Sequence, residues 1–380
     1  MNILRRLPLY RLLLLCAIVI AVGVSATALA FALGSGAKPP PKPLADAIHD
    51  ALSATPVEGV SANIQFTNHL LEGAGLTSGG GAEGELLESP LIAGASGRLW
   101  IGKDGRARIE LQAEKGDTEI LSDGHTLSIY DAASNTLYRY TPTAQEGASA
   151  NDEGWTPYAP LHQRAGASAQ PEVPTVAKIE EALSHLGDHA DVSGATPSNV
   201  AGQPAYTVRA SPKEGGSLFG GAELSFDAVH GIPLRAAIYS STSSSPAIEL
   251  AATDISYGPV ADSVFELSPP PNAKIKEIKF SHDAGAEHAD KPAGSGRPTV
   301  TTHGHGVTAI AVIESRTKTG AADSTSEQLE GLPKVTINGT AASELRTELG
   351  TLLSFERSGV RYVLAGSVTP GVIEALARGL

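Results

Sequence analysis

The stretch Ala222-Glu223-Leu224-Ser225-Phe226-Asp227, the turn His230-Gly231-Ile232-Pro233 and the run Leu234-Arg235-Ala236-Ala237-Ile238-Tyr239 decide the fold. In the first arm Ala222, Leu224 and Phe226 alternate with Glu223, Ser225 and Asp227. In the second, Leu234, Ala236 and Ile238 alternate with Arg235, Ala237 and Tyr239. A period of two punctuated by Gly and Pro marks antiparallel strands with one apolar and one wetted face. Ile248, Leu250, Ile255 and Tyr257 carry the pattern beyond the Ser/Thr run 240–245. Val264-Phe265-Glu266-Leu267 and prolines 269–271 close it, because proline cannot donate to a ladder.

Upstream, 97–140 reads as a second meander. Arg98 to Ile101, Ala107 to Leu111, Thr118 to Leu121, Thr126 to Tyr130 and Thr136 to Tyr140 are strand candidates. Their turns carry Asp104-Gly105, Asp123-Gly124 and Ser134-Asn135, and Asp-Gly is a strong hairpin cue. Short loops between successive strands give an up-and-down sheet. Between the two meanders Val173, Val176, Ile179, Leu183 and Leu186 fall at helical spacing, so a helix over 174–187 is expected to lay its apolar stripe on the sheet. Leu44, Ile48 and Leu52 predict a short helix, and Ser61 to Leu70 a strand around Ile64 and Phe66. The Gly/Ala/Ser/Glu run 73–85 reads as a loop.

The N-terminus carries Arg5, Arg6 and Arg11, and then no charge from Leu12 to Leu33. At about 1.5 Å per residue that run matches a hydrocarbon core of about 30 Å. The arginines before it favour an N-terminus inside and the remainder outside, a single-pass cell-membrane protein with extracytoplasmic domains. A cleaved signal is the alternative, with Ala28-Leu29-Ala30 as the small-x-small site and a secreted or periplasmic product. The run is long for a signal, which favours the anchor. The Gly/Pro-rich residues 34–43 read as a semi-rigid spacer.

Downstream, 281–298 has linker composition. A second unit follows, with strand candidates at Val307 to Ile313, Lys334 to Ile337, Thr351 to Phe355 and Arg361 to Ala365. Thr369-Pro370 then predicts a terminal helix, with Thr369 as N-cap and Pro370 in the first turn.

Composition restricts the chemistry. With 41 acidic against 28 basic residues and a formal charge of −13, nucleic acid is excluded as a partner, because binding there needs cations against phosphates. The single cysteine, Cys16, excludes an intrachain disulfide and a multi-cysteine metal site. His282, His288, His303 and His305 have no carboxylate or cysteine at ligand spacing, so a solvated loop is the expectation and no metal. No Gly-x-Ser-x-Gly elbow presents a nucleophile, and Gly79-Gly80-Gly81 lacks the lysine and the frame of a phosphate loop. Asn338-Gly339-Thr340 reads as a tight turn rather than a glycosylation acceptor. No enzyme, catalytic residue or cofactor is expected. What remains is the apolar side of the sheet, with Leu99, Ile109, Leu111, Leu224, Phe226, Leu234, Ile238 and Leu250 as candidate lining of a cavity for an acyl chain. The same residue types could equally pack as a filled core.

Three pieces resemble the bacterial LolA-like superfamily of lipoprotein carriers and lipid-binding lipoproteins. They are Gly202-Gln203-Pro204-Ala205-Tyr206-Thr207-Val208, the pair Leu224-Ser225-Phe226-Asp227 and Gly231-Ile232-Pro233-Leu234-Arg235, and Asp262-Ser263-Val264-Phe265-Glu266-Leu267-Ser268-Pro269-Pro270. Gly306-Val307-Thr308-Ala309-Ile310-Ala311-Val312-Ile313-Glu314 and Gly359-Val360-Arg361-Tyr362-Val363-Leu364-Ala365-Gly366-Ser367-Val368-Thr369-Pro370 resemble the small second domain of RseB/MucB-type regulators. The resemblance implies a mainly β (α+β) chain: an unclosed antiparallel half-barrel with a helical lid and a small C-terminal α+β domain. It also implies an acyl lipid or lipoprotein as guest, or an anti-sigma factor or other envelope protein as partner. A tether would forbid a shuttle between membranes. The expected organisation is an anchor or signal over 1–34, a linker over 35–43, the half-barrel over 44–280, a linker over 281–299 and the small domain over 300–380.

Overall fold

The computed structural model describes residues 36–72, 74, 90–113, 116–141, 173–278, 299–316 and 332–380. The predicted anchor at 12–33, the loop at 75–85, the linker at 281–298 and His282 and His288 lie outside them. Among the described residues no helix is long and apolar enough to cross a membrane.

The two meanders form one sheet. After helix α1 (Leu44–Ser53), strand β1 (Gly59–Asn68) and a short helix α2 (Pro90–Ala93) come β2 (Ala95–Gly102), β3 (Ala107–Ala113), β4 (Gly116–Ser122), β5 (Leu127–Asp131) and β6 (Thr136–Tyr140). Helix α3 (Val176–Gly187) leads to β7 (Ala190–Val192), β8 (Thr196–Val200), β9 (Gln203–Pro212), β10 (Phe219–Asp227), β11 (Pro233–Ser240) and β12 (Pro246–Tyr257). β1 pairs antiparallel with β12, welding the halves into a 13-stranded sheet in the order β13-β6-β5-β4-β3-β2-β1-β12-β11-β10-β9-β7, with β8 also on β9. It is unclosed, with β13 (Lys274–Ile278) at one end and β7 at the other. The pairing of β13 with β6 is parallel, the one exception in an otherwise antiparallel order among the described residues. The 3-10 turn Asp262–Phe265 precedes it and is pinned by Arg106 and Arg108. Arg106 pairs with Asp262 and lies 4.7 Å over the Phe265 ring, and Arg108 donates to the Val264 carbonyl at 2.8 Å.

The second unit is a six-stranded sheet in the order β14-β15-β19-β18-β17-β16. Its strands are β14 (Thr299–His303), β15 (Ile310–Arg316), β16 (Lys334–Ile337), β17 (Thr340–Thr347), β18 (Gly350–Arg357) and β19 (Val360–Gly366). Helix α4 (Pro370–Gly379) buries Ile373 and Ala377 against Val312, Ile337, Leu353, Phe355 and Leu364. Pro370 stands in the first turn as expected; Thr369 is the cap position, but its side chain makes no capping bond.

Local chemistry explains most of these boundaries. Asp123 Oδ1 accepts from the His125 and Thr126 amides, and Gly124 takes φ +89°, so Asp-Gly does turn β4 into β5. Asn338 and Gly339 both have positive φ, +48° and +82°, the tight turn expected between β16 and β17. Thr175 caps α3 by accepting from the Lys178 amide at 3.4 Å.

Four expectations are corrected. Val307 sits in a 3-10 turn (Gly306–Thr308) and its strand starts at Ile310, because Gly304 and Gly306 hold left-handed conformations there. Ser225 and Asp227 are each only 1% exposed, not wetted. Ser225 shares a hydroxyl chain with Thr207 and Ser198. Register shifts between Ser225 and Phe226, where Asp227 turns inward to accept from the Val229 and His230 amides and the Tyr257 hydroxyl. Ala237 and Tyr239 are buried too, beneath Arg209 and Arg235; the Arg209 guanidinium lies 4.1 Å over the Tyr239 ring. Residues 36–43, expected as a semi-rigid spacer, are strapped to the large sheet: Asn199 donates to the Ala37 carbonyl at 3.2 Å and Tyr206 to the Pro40 carbonyl at 2.7 Å.

Candidate functional site

Five of the eight expected lining residues come together. Leu99, Ile109, Leu111, Leu234 and Leu250 share one cluster with Val60, Ile64 and Ile255, each 0–6% exposed. The register explains this. Ala62, Leu99, Ile109 and Ile120 stand opposite one another across β1 to β4, as do Leu250 and Phe66 across β12 and β1. The other three residues separate from this cluster. Phe226 packs with Tyr206, Ala195 and Ala47 beneath α1, Ile238 joins Phe219, Ala222 and Val307, and Leu224 is half-buried. Alternation fixes which side of a strand a residue takes. It does not fix which neighbour that side meets once bulges at Phe219/Gly221 and Ser225/Phe226 re-aim β10.

A cleft of about 510 Å³ lies where the two sheets meet, and none of those eight residues lines it. Its walls are the 212–220 segment, Ser240, Ser241, Thr242 and Ser243 after β11, Arg209 on β9, and Thr369 at the start of α4. The junction beside it is built from hydroxyls and main chain. The Leu218 amide donates to the Ser367 carbonyl at 2.7 Å, the Ser217 hydroxyl to the same carbonyl at 2.9 Å, and the Ser241 hydroxyl to the Ser217 carbonyl at 2.7 Å. Thr308 donates to Glu214 at 3.0 Å, with His305 Nδ1 at 3.2 Å from the same oxygen. Phe219, Ala222, Ile238 and Val307, with Leu349, form the apolar part of the joint. The two units therefore share a packed boundary at this point. Arg209, stacked on Tyr239 and 4.0 Å from Glu223, presents a held cation at the rim.

No strand pattern announced this cleft. Thirteen of its fourteen lining residues fall between Arg209 and Ser243, and only Thr369 joins them from far along the chain. Gly215-Gly216 and the Ser/Thr run 240–245 read simply as turns.

Two clusters of ionisable groups have structural explanations. Arg235 bridges Glu223 and Glu249 across β10, β11 and β12 on the outer face. Asp227 accepts the Tyr257 hydroxyl at 2.6 Å, and the His230 ring lies 4.0 Å from that of Tyr257. Burial, and then the Asp227 carboxylate, push the Tyr257 hydroxyl well above its ordinary range. Among the described residues no group of three or more His, Cys, Asp or Glu is placed to hold a metal ion. His303 lies on β14 and His305 beside Glu214.

No family profile matches the chain. No curated protein sequence matches it either. Among solved structures, the MucA/MucB complex of Pseudomonas aeruginosa includes a chain 15% identical, covering 88% of this chain and 96% of that one, with a TM-score of 0.43. A structure of MucB alone gives 16% identity, the same two coverages and a TM-score of 0.38. A LolA superfamily protein from Nitrosomonas europaea gives 9% identity, 85% and 90% coverage and a TM-score of 0.19. The chain is thus similar to MucB-like and LolA-superfamily proteins, the two groups its sequence motifs resemble.

Proposed function

We propose that this is a non-catalytic, membrane-tethered extracytoplasmic protein that binds an extended segment of an envelope protein in the cleft between its two sheets. The carrying observation is the cleft itself: about 510 Å³, within the range of binding sites, and edged by hydroxyls, main-chain groups and the Arg209 cation. An extended polypeptide needs such a surface, because each of its residues brings a donor and an acceptor that must be matched. The larger unit, 44–280, supplies the walls, Thr369 closes the cleft from the smaller unit, 300–380, and residues 12–33 supply the tether.

Filling the cleft tests this reading. Ser241→Trp gives up the hydroxyl bond to the Ser217 carbonyl; it is expected to abolish co-purification of the partner while leaving the far-ultraviolet circular dichroism of the ectodomain unchanged and lowering its melting temperature only slightly. Full retention of the same partner by the folded variant would sink the proposal.

A second reading, an acyl guest on the apolar face of the large sheet, starts from the continuous cluster of Leu99, Leu111, Leu234 and Leu250, which are 0–4% exposed and would have to part to admit it. Burial there would contribute about 25 cal/mol per Å² removed from water. Lipid identified by mass spectrometry in ectodomain purified from its native membrane would favour it. Such lipid should be indifferent to Ser241→Trp.

A further inference from the structure

We infer that the end of the large sheet carrying Leu52 and Val229 is a foot that rests on the lipid bilayer, holding the cleft away from it. The inference rests on the reading of residues 12–33 as a retained membrane anchor.

The first observation is where the described chain begins. Gly36 lies against Asn199, Ala37 and Pro40 are bonded to Asn199 and Tyr206, and Pro39 is buried. Only Gly34 and Ser35 separate Gly36 from Leu33. At no more than about 3.6 Å per residue, the chain can carry Leu33 no farther than roughly 11 Å from Gly36. The strap gives this end of the protein little freedom to turn away, since Lys42 also pairs with Asp50 of α1 and lies 5.8 Å over the Tyr206 ring.

The second observation is what this end exposes. Asn199 pairs with Pro204, whose carbonyl accepts from the Ala228 amide, so the β10–β11 turn lies at the same end. That turn abuts the last turn of α1: a Cβ on Gly231 would stand 2.2 Å from the Ala51 carbonyl oxygen. Val229 on the turn is 66% exposed and Leu52 beside Ala51 is 53% exposed, the former the most exposed of the large apolar side chains described. Lys38, also exposed, lies on the strap next to Ala37, whose carbonyl is bonded to Asn199 at this end. Two bare aliphatic side chains with a nearby cation suit the boundary between headgroups and acyl chains.

The direction of the strands sets the rest. β11 runs eight residues from this end to Ser240 at the cleft. At about 3.3 Å per residue the cleft stands roughly 25 Å from the foot. A partner segment would therefore be taken up well clear of the headgroups.

The test uses the full chain, with Cys16→Ala and one new thiol at either Val229 or Ser243, reconstituted in phosphatidylcholine/phosphatidylglycerol vesicles. Each thiol carries an environment-sensitive fluorophore, and the vesicles contain headgroup spin-labelled lipid. The expected result is a blue shift and loss of intensity for the Val229→Cys label and neither change for the Ser243→Cys label. Equal, unquenched emission from both labels on protein that co-floats with the vesicles would overturn the foot while leaving the anchor standing. Protein that fails to co-float would remove the anchor and the foot together.

Discussion

The thirteen-stranded sheet is dressed on both sides, whereas the six-stranded sheet covers one face and leaves the other half bare. In the large sheet one side packs Ile64, Leu99 and Leu234 at 0–1% exposure. Its outer side buries Ala237 and Tyr239 beneath the Arg209, Glu223, Arg235 and Glu249 side chains. In the small sheet α4 seals Val312, Leu353 and Leu364 on one side, each fully buried. On the other, Val300 is 57% exposed and Ile313, its cross-strand partner, 36%. The small sheet also takes a carboxylate into its core: Glu344 is 1% exposed and bonded to Arg346 at 2.6 Å. The large sheet therefore buries side chains on both faces, while the small one is covered on one face and leans on its joint with the large sheet.

The largest expected effect tests that dependence. Leu234→Ala in the large sheet and Leu353→Ala in the small one should each cost about 2–5 kcal/mol. Followed by calorimetry, both should lower a single transition, because the seam couples the sheets. Two separable transitions, each shifted by only one substitution, would break the comparison. Next, Arg346→Ala should cost about 1–3 kcal/mol by leaving Glu344 buried without its partner. Urea midpoints should show part of that loss restored by adding Glu344→Gln, and no restoration would mean that the pair is dispensable.

Tyr257→Phe should cost about 1–2 kcal/mol, since Asp227 loses a hydroxyl donor in a buried site. The raised Tyr257 value fixes the sign with pH. The unfolded chain gives up this proton near 10.0, below the folded protein, so stability falls as pH rises through and beyond that value. The Phe variant should lack this contribution, and an identical alkaline decline in both proteins would exclude it. The smallest effect is at a cap: Thr175→Ala should cost about 1 kcal/mol, visible as a small drop in melting temperature.

Much of this was legible from residues, and where it was not the reasons are physical. The period of two found β10, β11 and β12, and Asp-Gly and Asn-Gly found their turns, because those signals are local. β17 was missed because its inward positions include Ala342 and Glu344, which carry no bulky apolar signal. β13 was missed because Lys274-Ile275-Lys276-Glu277 are all exposed and its parallel partner β6 is remote in sequence. Leu99, Ile109, Leu111, Leu234 and Leu250, expected to line a cavity, do fall in one buried cluster. Bulges sent Phe226 and Ile238 to other neighbours. The cleft was invisible because its hydroxyls and glycines sit in turns, and turn composition does not say which turns meet.

The measurement closest to the central claim is photo-crosslinking from the cleft. With benzoylphenylalanine at Ser241 in the full chain, an adduct with one envelope polypeptide is expected, mapped to a contiguous segment and competed away by that segment as a free peptide. An adduct that the peptide does not compete, or no protein adduct at Ser241 while the same probe at Val229 reacts, would contradict it.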